Sequence, residues 1–202
     1  TMCQNSKPAA ELTHAPVESV AHSCACSKNG TPRPMEVNEE VRWVDASMDM
    51  EFPAVPFPSK KIFAATGEEL LRQLVRAHHS RLYKSSIAEL FNHDPQHFEA
   101  LVKTIGDYVV EASGGPSYFT GSRGNVCMRT LHFPFTIDEK ARRIWLTELR
   151  AALDEVQFPE SAMEEYWNWM EAFSMRMINR RTTRSQPMRY PFLPTGQTHP
   201  AR

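Results

Sequence analysis

Residues 114–145, GGPSYFTGSRGNVCMRTLHFPFTIDEKARRIW, decide the fold of this chain. A Gly-Gly-Pro stop ends one helix, and a loop without a strand pattern follows it. His132 then precedes the rigid Phe-Pro-Phe segment of residues 133–135, and a capped helix that carries Trp145 comes next. We therefore expect one imidazole at the mouth of a helical core with an indole across from it, an arrangement typical of an axial haem ligand.

The composition is that of a nearly neutral chain with one domain and two tails. Among its 202 residues, 23 Lys and Arg stand against 24 Asp and Glu, which gives no electrostatic case for nucleic acid or an anionic membrane. No apolar run is long enough to span a bilayer, and the N-terminal stretch lacks the apolar segment of a signal peptide. Four cysteines are too few for a disulfide framework in a chain of this size. We expect a cytoplasmic protein without nucleic-acid or membrane partners.

Proline placement predicts the domain boundaries. Eleven of the fifteen prolines lie before residue 59 or after residue 186. We expect residues 1–60 to be a mostly disordered or loosely packed extension, residues 61–183 to be the folded domain and residues 184–202 to be a tail. Aromatic and methionine side chains within residues 41–55 indicate that part of the extension lies against the core.

Apolar stripes at spacings of three and four residues predict four main helices. The first covers residues 67–83, and Asp94-Pro95 opens the second, which ends at the Gly-Gly-Pro stop. The sequence TIDE at residues 136–139 is typical of a capping box and opens the third. The fourth runs over about residues 159–180. No segment alternates in the manner of a strand, so we predict an all-α core that can enclose a cofactor.

Several short motifs occur in one order along the chain. They are Gly114-Gly115-Pro116, Arg123-Gly124, Met128-Arg129, His132-x-Pro134-Phe135-x-Ile137, Trp145-Leu146 and Met177-Ile178-Asn179. In this combination and spacing, residues 63–181 resemble the group II truncated haemoglobins, which are small globins built as a two-over-two helical sandwich around haem. The resemblance implies an all-α truncated globin that binds haem b, with an N-terminal extension outside it.

The resemblance also implies roles for individual residues. His132 would be the proximal ligand of the haem iron, and Trp145 would line the distal side with its indole N–H toward the ligand. Further positions implied to line or flank the haem pocket are Phe91, Leu101, Ile105, Tyr108, Phe119 and Met128. Arg123 and Arg129 are candidate partners of the haem propionates, because arginine forms bidentate pairs with carboxylates.

Three features depart from the family pattern, one of which is a connection from the second helix to Phe91 that is one residue shorter than usual. Where the family commonly has Phe-Tyr on the second helix, with the tyrosine hydroxyl contacting the ligand, this chain has His78-His79. The residue before the proximal histidine, commonly arginine, is Leu131. We expect His79 to face the cavity, with His78 as the alternative in the helix register. That histidine could donate a hydrogen bond to the ligand, act as a general acid or base toward peroxide, or bind iron as a sixth ligand.

The function that the resemblance implies is reversible binding of dioxygen or other diatomic ligands such as NO and CO, by a monomer or a homodimer. Oxygen transport or NO/O2 redox chemistry would follow, the latter with an electron donor. One alternative is a peroxidase-like haem enzyme in which His79 and Trp145 are catalytic. The other is a haem-based sensor whose extension docks a partner. A nitric oxide dioxygenase-like activity is a further enzymatic hypothesis.

A separate cluster of soft ligands lies near the start of the chain. His22, Cys24 and Cys26, with Cys3 upstream, offer the nitrogen and sulfur atoms that suit Cu(I) or zinc. A reduced, metal-free tail is the simpler interpretation of the same residues.

Overall fold

Six helices make up most of the described part of the chain, which in this computed structural model comprises residues 44–45 and 50–194. In chain order the elements are β1 Val44–Asp45, α1 Lys61–Leu82, a 3₁₀ turn Ala88–Leu90, α2 Pro95–Ala112, α3 Tyr118–Arg123, α4 Met128–Leu131, α5 Glu139–Glu155, α6 Glu160–Met177 and β2 Arg180–Arg181. The all-α prediction is confirmed, since the strands within these residues are two residues long each. The expectations for residues 1–43 and 195–202, including the soft-ligand cluster, fall outside the described residues.

The four predicted helices pack in two pairs. Helix α1 contacts α2, and α5 contacts α6, while α1 also contacts α5 and α6. The buried faces carry the predicted apolar stripes, with Leu71 and Leu74 on α1, Val109 on α2, Leu149 on α5 and Tyr166 on α6 all 0 to 3 % exposed. No helix within the described residues is both long enough and apolar enough to cross a membrane.

Helix α1 begins six residues earlier than predicted and bends at Gly67. The backbone there has φ 69° and ψ 175°, which divides the helix into two pieces. A Cβ at this position would meet no atom within 4 Å, so glycine is required by the positive φ and not by space. The predicted helix over residues 67–83 corresponds to the second piece.

Aspartate side chains cap the N-termini of α2 and α5. Asp94 caps α2 by accepting a hydrogen bond from a first-turn amide, and Pro95 occupies the first helical position, as predicted. Helix α5 starts differently, because the Asp138 carboxylate accepts from the amide of Ala141 at 2.7 Å. The capping box predicted at residues 136–139 is therefore wrong, since it placed the cap two residues too early.

The chain before α1 packs against α6. Met50 lies in a buried cluster with Met175 and Ile178, and Phe52 packs against that cluster. The backbone of β1 pairs antiparallel with β2, with Val44 opposite Arg181. Part of residues 41–55 therefore does lie against the core, as the sequence indicates.

The segment after β2 is tied to a buried ion pair between α5 and α6. Arg142 Nη2 lies 2.5 Å from Glu171 Oε1, and both side chains are at most 3 % exposed. Met188 accepts a hydrogen bond from Arg142 at 2.6 Å through its carbonyl. Arg189 pairs with Glu171 at 2.7 Å, and the Tyr190 amide donates to the same carboxylate at 3.0 Å. Residues 188–190 thus satisfy charges that the helices alone would leave incompletely paired.

The ion pair also sets the ionisation of its carboxylate. Burial on its own would raise the pKa of Glu171, but the hydrogen bonds from Arg189 and the Tyr190 amide, with the charges of Arg142 and Arg189, bring that pKa below its ordinary value. Burial lowers the pKa of Arg142, and Glu171 offsets part of that effect. Because a guanidinium titrates far above neutrality, we treat both groups as charged.

The variant Glu171→Ala should lower the free energy of unfolding by about 3–5 kcal/mol, because it leaves the Arg142 guanidinium buried without its counter-ion. Urea denaturation of the variant and the wild type measures the difference. The control is Glu99→Ala, which removes an exposed partner of Arg76 and should change stability little. Equal losses in the two variants would contradict this account.

Candidate functional site

A cavity of about 300 Å³ lies among α1, α2, α5, α6 and the loop before α5. Six of the residues proposed from the sequence line it, namely His79, Phe91, Leu101, Ile105, His132 and Trp145. The remaining lining residues are Ile87, Leu90, Asn92, His97, Phe135, Ile137, Ala141, Arg142, Phe173, Ser174 and Met177. A mostly apolar wall with a few polar groups is the usual composition of a cofactor or ligand site.

His132 stands at the C-terminal end of α4 with one ring nitrogen fixed. Its Nδ1 lies 2.7 Å from the carbonyl oxygen of Met128, one turn back. A carbonyl can only accept, so Nδ1 carries the proton, and Nε2 is left with the lone pair that binds a metal. Burial lowers the pKa of His132, although the bond to Met128 opposes this, and the ring is therefore neutral near pH 7. A neutral imidazole whose second nitrogen is held by a carbonyl is the usual form of an axial ligand.

Asn179 holds the loop that follows His132. Its side-chain amide donates to the carbonyls of His132 at 3.0 Å and Phe135 at 2.7 Å. Its Oδ1 accepts from the Ile137 amide at 3.0 Å. Asn179 is 4 % exposed, so a single buried side chain satisfies three backbone groups of the loop that carries His132.

The two predicted propionate partners lie elsewhere. Arg129 Nη1 donates to the carbonyls of Arg176 and Ile178 at the end of α6. Arg123 Nη2 donates to the Thr104 hydroxyl at 3.3 Å. Neither residue lines the cavity described above, so their assignment to propionates stays a prediction from the resemblance.

Three further predicted pocket residues stand behind or beside the wall. The ring of Tyr108 lies 5.3 Å from that of Phe119 and 6.1 Å from that of Phe173, which is itself a wall residue. Met128 contributes its carbonyl to His132. These residues support the wall in this structure and do not form it.

The two adjacent histidines of α1 are used differently. His79 lines the cavity, and its Nδ1 lies 2.8 Å from the carbonyl of Val75. His78 is absent from the lining described, and its Nε2 donates to the backbone carbonyl of Trp145 at 3.0 Å. The rings of His78 and Trp145 meet edge to face at 4.6 Å. The structure therefore selects His79 over His78 as the histidine of the cavity wall.

Burial controls the ionisation of both histidines. Burial lowers the pKa of His78 well below its ordinary value, and repulsion from the protonated form of His79 adds to this effect, while the bond to Trp145 opposes the shift. Burial likewise lowers the pKa of His79, and the bond to Val75 opposes this. Both rings are therefore neutral near pH 7.

Some of the cavity residues that the sequence analysis did not name as site residues still have a signal in the sequence, and others have none. Ile87, Leu90, Ala141 and Phe173 belong to inward-facing apolar positions, so the periodicity contains their signal. Arg142 gives no such signal, because a charged residue on an amphipathic helix is usually solvated. Its burial depends on Glu171 and the Met188 carbonyl, whose positions no local pattern indicates.

Comparison with known proteins assigns the chain to a family. A model of the bacterial-like globin family matches residues 61–179, more than half of the chain. The chain belongs to the bacterial-like globin family. The group 2 truncated hemoglobin YjbI of Bacillus subtilis is 26 % identical over 119 residues, which cover 58 % of this chain and 88 % of that relative.

Solved structures agree with this assignment. The crystal structure of phosphate-bound Hell's gate globin IV is 53 % identical and superposes with a TM-score of 0.70, covering 73 % of this chain and 92 % of that one. The hemoglobin of Chloroflexus aurantiacus is 28 % identical with a TM-score of 0.55, covering 59 % of this chain and 98 % of that one. The resemblance to the group II truncated haemoglobins and their two-over-two helical fold is thereby confirmed. Membership implies a haem-binding globin, and globins of this family bind diatomic gases such as O2.

The variant Asn179→Ala should destabilise the globin by about 1–3 kcal/mol, because it removes the three hydrogen bonds that this buried side chain makes to the backbone of residues 132, 135 and 137. Urea denaturation measures the loss, and hydrogen exchange should show faster opening of the same residues. Asn168→Ala, at an exposed position of α6, is the control. Unchanged exchange in residues 132–137 would contradict the role given to Asn179.

The variant His78→Gln should reduce the acid sensitivity of the fold. Above the ordinary histidine pKa of about 6.5, His78 is neutral in both the folded and the unfolded chain. Below it, the unfolded chain takes up a proton that the folded chain does not, so the free energy of unfolding falls as the pH falls. Glutamine keeps a donor for the Trp145 carbonyl and removes the titration.

Urea denaturation at about pH 7 and about pH 5 measures this effect, with His93→Gln, an exposed position, as the control. A loss of stability between the two pH values that is as large in His78→Gln as in the wild type would refute the prediction.

Proposed function

We propose that this globin binds haem b, with His132 as the proximal ligand of the iron and Trp145 and His79 on the ligand side, and that it reversibly binds dioxygen or another diatomic gas. The observation that carries the proposal is the His132 imidazole on the cavity wall, with Nδ1 held by the Met128 carbonyl and Nε2 available to iron. When bound, haem supplies a redox-active iron that takes diatomic ligands. The apolar wall supports the same conclusion, because a porphyrin presents two apolar faces.

The polar residues of the wall have distinct tasks in this proposal. Asn92 and His97 are the exposed polar residues of the wall, so they mark the mouth of the cavity and are available to haem propionates. Arg142 is buried and committed to Glu171, Ser174 and Met188. We therefore assign Arg142 to the framework of the wall and the mouth residues to the propionates.

The indole of Trp145 is the neutral donor of the ligand side. Its N–H has no acceptor among the described residues, while its backbone is held by His78. A diatomic ligand carries no proton and can only accept a hydrogen bond. Trp145 therefore supports the proposed retention of a diatomic gas.

The finer functional assignments stay predictions. NO/O2 redox chemistry, oxygen transport, the electron donor, a cytoplasmic location and the choice between monomer and homodimer rest on the resemblance. A sensor role would involve the extension, most of which lies outside the described residues. A peroxide-related function has one specific observation in its favour, the contact of His79 Nδ1 with the Val75 carbonyl, which leaves Nε2 of the neutral ring as a proton acceptor.

The variant His132→Ala should lose most of the Soret absorbance of the purified globin, because it removes the proposed iron ligand. Among the described wall residues, His132 is the imidazole whose Nδ1 is held by the Met128 carbonyl of α4. Absorption spectra of the ferric and dithionite-reduced forms, with and without added hemin, measure this. His93→Ala, which alters an exposed histidine, is the control. A wild type without a Soret band even after hemin addition would overturn the proposed function, and so would unchanged spectra in His132→Ala.

A further inference from the structure

The ring N–H of neutral His79 donates a hydrogen bond to the backbone. Nδ1 lies 2.8 Å from the carbonyl oxygen of Val75, which lies one turn earlier on the same helix. Since the carbonyl has no proton to give, Nδ1 must carry the N–H, and a neutral imidazole has only one. Nε2 of the neutral ring is therefore an acceptor and cannot donate to a ligand.

No other described imidazole near His79 supplies a proton that would reverse this polarity. His78 lies 5.3 Å from His79 between ring centroids, and its Nε2 is bonded to the Trp145 carbonyl. The charged wall residue Arg142 is paired with Glu171. The other imidazoles of the wall are His97, at the mouth, and His132, whose proton is held by Met128. Nε2 of the buried His79 ring thus offers a lone pair on the proposed ligand side.

In the cavity, Trp145 supplies one hydrogen-bond donor and His79 supplies one hydrogen-bond acceptor. A diatomic gas without a proton can use only the indole donor. A small acid HX can use both, because its X atom accepts from Trp145 and its proton faces the lone pair of His79. The polar groups of the cavity therefore match protic ligands better than aprotic ones.

We propose that His79 is the proton acceptor of this cavity and that the globin takes up small protic ligands of the hydrogen peroxide and hydrogen cyanide type in preference to aprotic ones of similar size. This inference rests on the proposed function, because it requires haem bound through His132. In the proton-transfer step the H–X bond breaks, the electron pair stays on X, and the proton passes to His79 Nε2. The resulting imidazolium then donates to the anion X⁻.

The environment of His79 permits this step and keeps the His79 ring neutral before the acid binds. An isolated imidazolium is costly in a buried site. Here the charge forms only together with the anion of the ligand, so the pair enters and leaves as a neutral molecule. The Val75 carbonyl stays hydrogen-bonded to Nδ1–H in both states and fixes the ring while Nε2 changes from acceptor to donor.

The test compares a protic and an aprotic probe in the haem-loaded globin. Hydrogen cyanide must lose its proton as cyanide binds the ferric protein, whereas carbon monoxide binds the ferrous protein with no proton to transfer. In His79→Leu the rate of cyanide association should fall by about 10²–10⁴-fold, as for loss of a general base, with little change in the rate for carbon monoxide. His93→Leu, outside the cavity wall, is the matched control, and stopped-flow absorbance in the Soret region follows both reactions.

A second measurement reads the proton position without any reaction. Long-range ¹H–¹⁵N correlation spectra of the diamagnetic carbon monoxide form should show His79 protonated at Nδ1. The Nε2–H tautomer would overturn the inference. Equal slowing of cyanide and carbon monoxide in His79→Leu would overturn it as well, since it would indicate a steric effect, and so would an unchanged cyanide rate.

The coordination state separates the inference from the proposed function. A ferric wild type that is six-coordinate and low-spin, and becomes five-coordinate in His79→Leu, would place Nε2 on the iron and overturn the inference while leaving the proposed function intact. Failure of the wild type to bind haem at all overturns the proposed function first. Cyanide slowed alone, with the Nδ1–H tautomer, supports the inference.

Discussion

The hydrogen bond from His132 Nδ1 to the Met128 carbonyl is the interaction on which the proposed site depends. Helix α4 is only four residues long, and a helix of that length has almost no stability of its own. The carbonyl that orients the imidazole is therefore fixed only because the surrounding loop is fixed. Much of the polar chemistry on this side of the molecule can be understood as holding that loop in place.

The end of α6 supplies the groups that hold it. Asn179 bonds three backbone groups in the loop, and Arg129 reaches from α4 to carbonyls near the C-terminus of α6. Arginine near a helix C-terminus satisfies carbonyls that lack an intrahelical partner and complements the helix dipole. Arg129 thus joins the short helix to a long, well-buried one. The rigidity that α4 lacks locally comes from α6, forty or more residues later in the chain.

This dependence explains which parts of the site were predictable from the sequence. Asp94-Pro95 and the apolar stripes act within a few residues, so the pattern identifies α2 and the buried faces directly. The proposed axial role of His132 could be stated because a whole ordered set of motifs resembles one family. The position of Arg129 could not, since an arginine offers the same donors to a propionate and to a helix end. Only the fold shows which acceptors lie within reach, and the same holds for the buried pair of Arg142 and Glu171.

The pair His78-His79 shows how a local rule and a tertiary contact combine. Adjacent residues of a helix differ by about 100° in direction, given 3.6 residues per turn, so both rings cannot take the same place on one wall. The Trp145 carbonyl accepts from His78 and fixes that ring outside the lining, and His79 is then the ring on the cavity side. The sequence limits the choice to two residues, and one backbone carbonyl of α5 decides between them. Because the Val75 carbonyl also holds the only ring proton of neutral His79, the polarity of the proposed ligand side is set by backbone groups of two helices and not by the identity of the histidine alone.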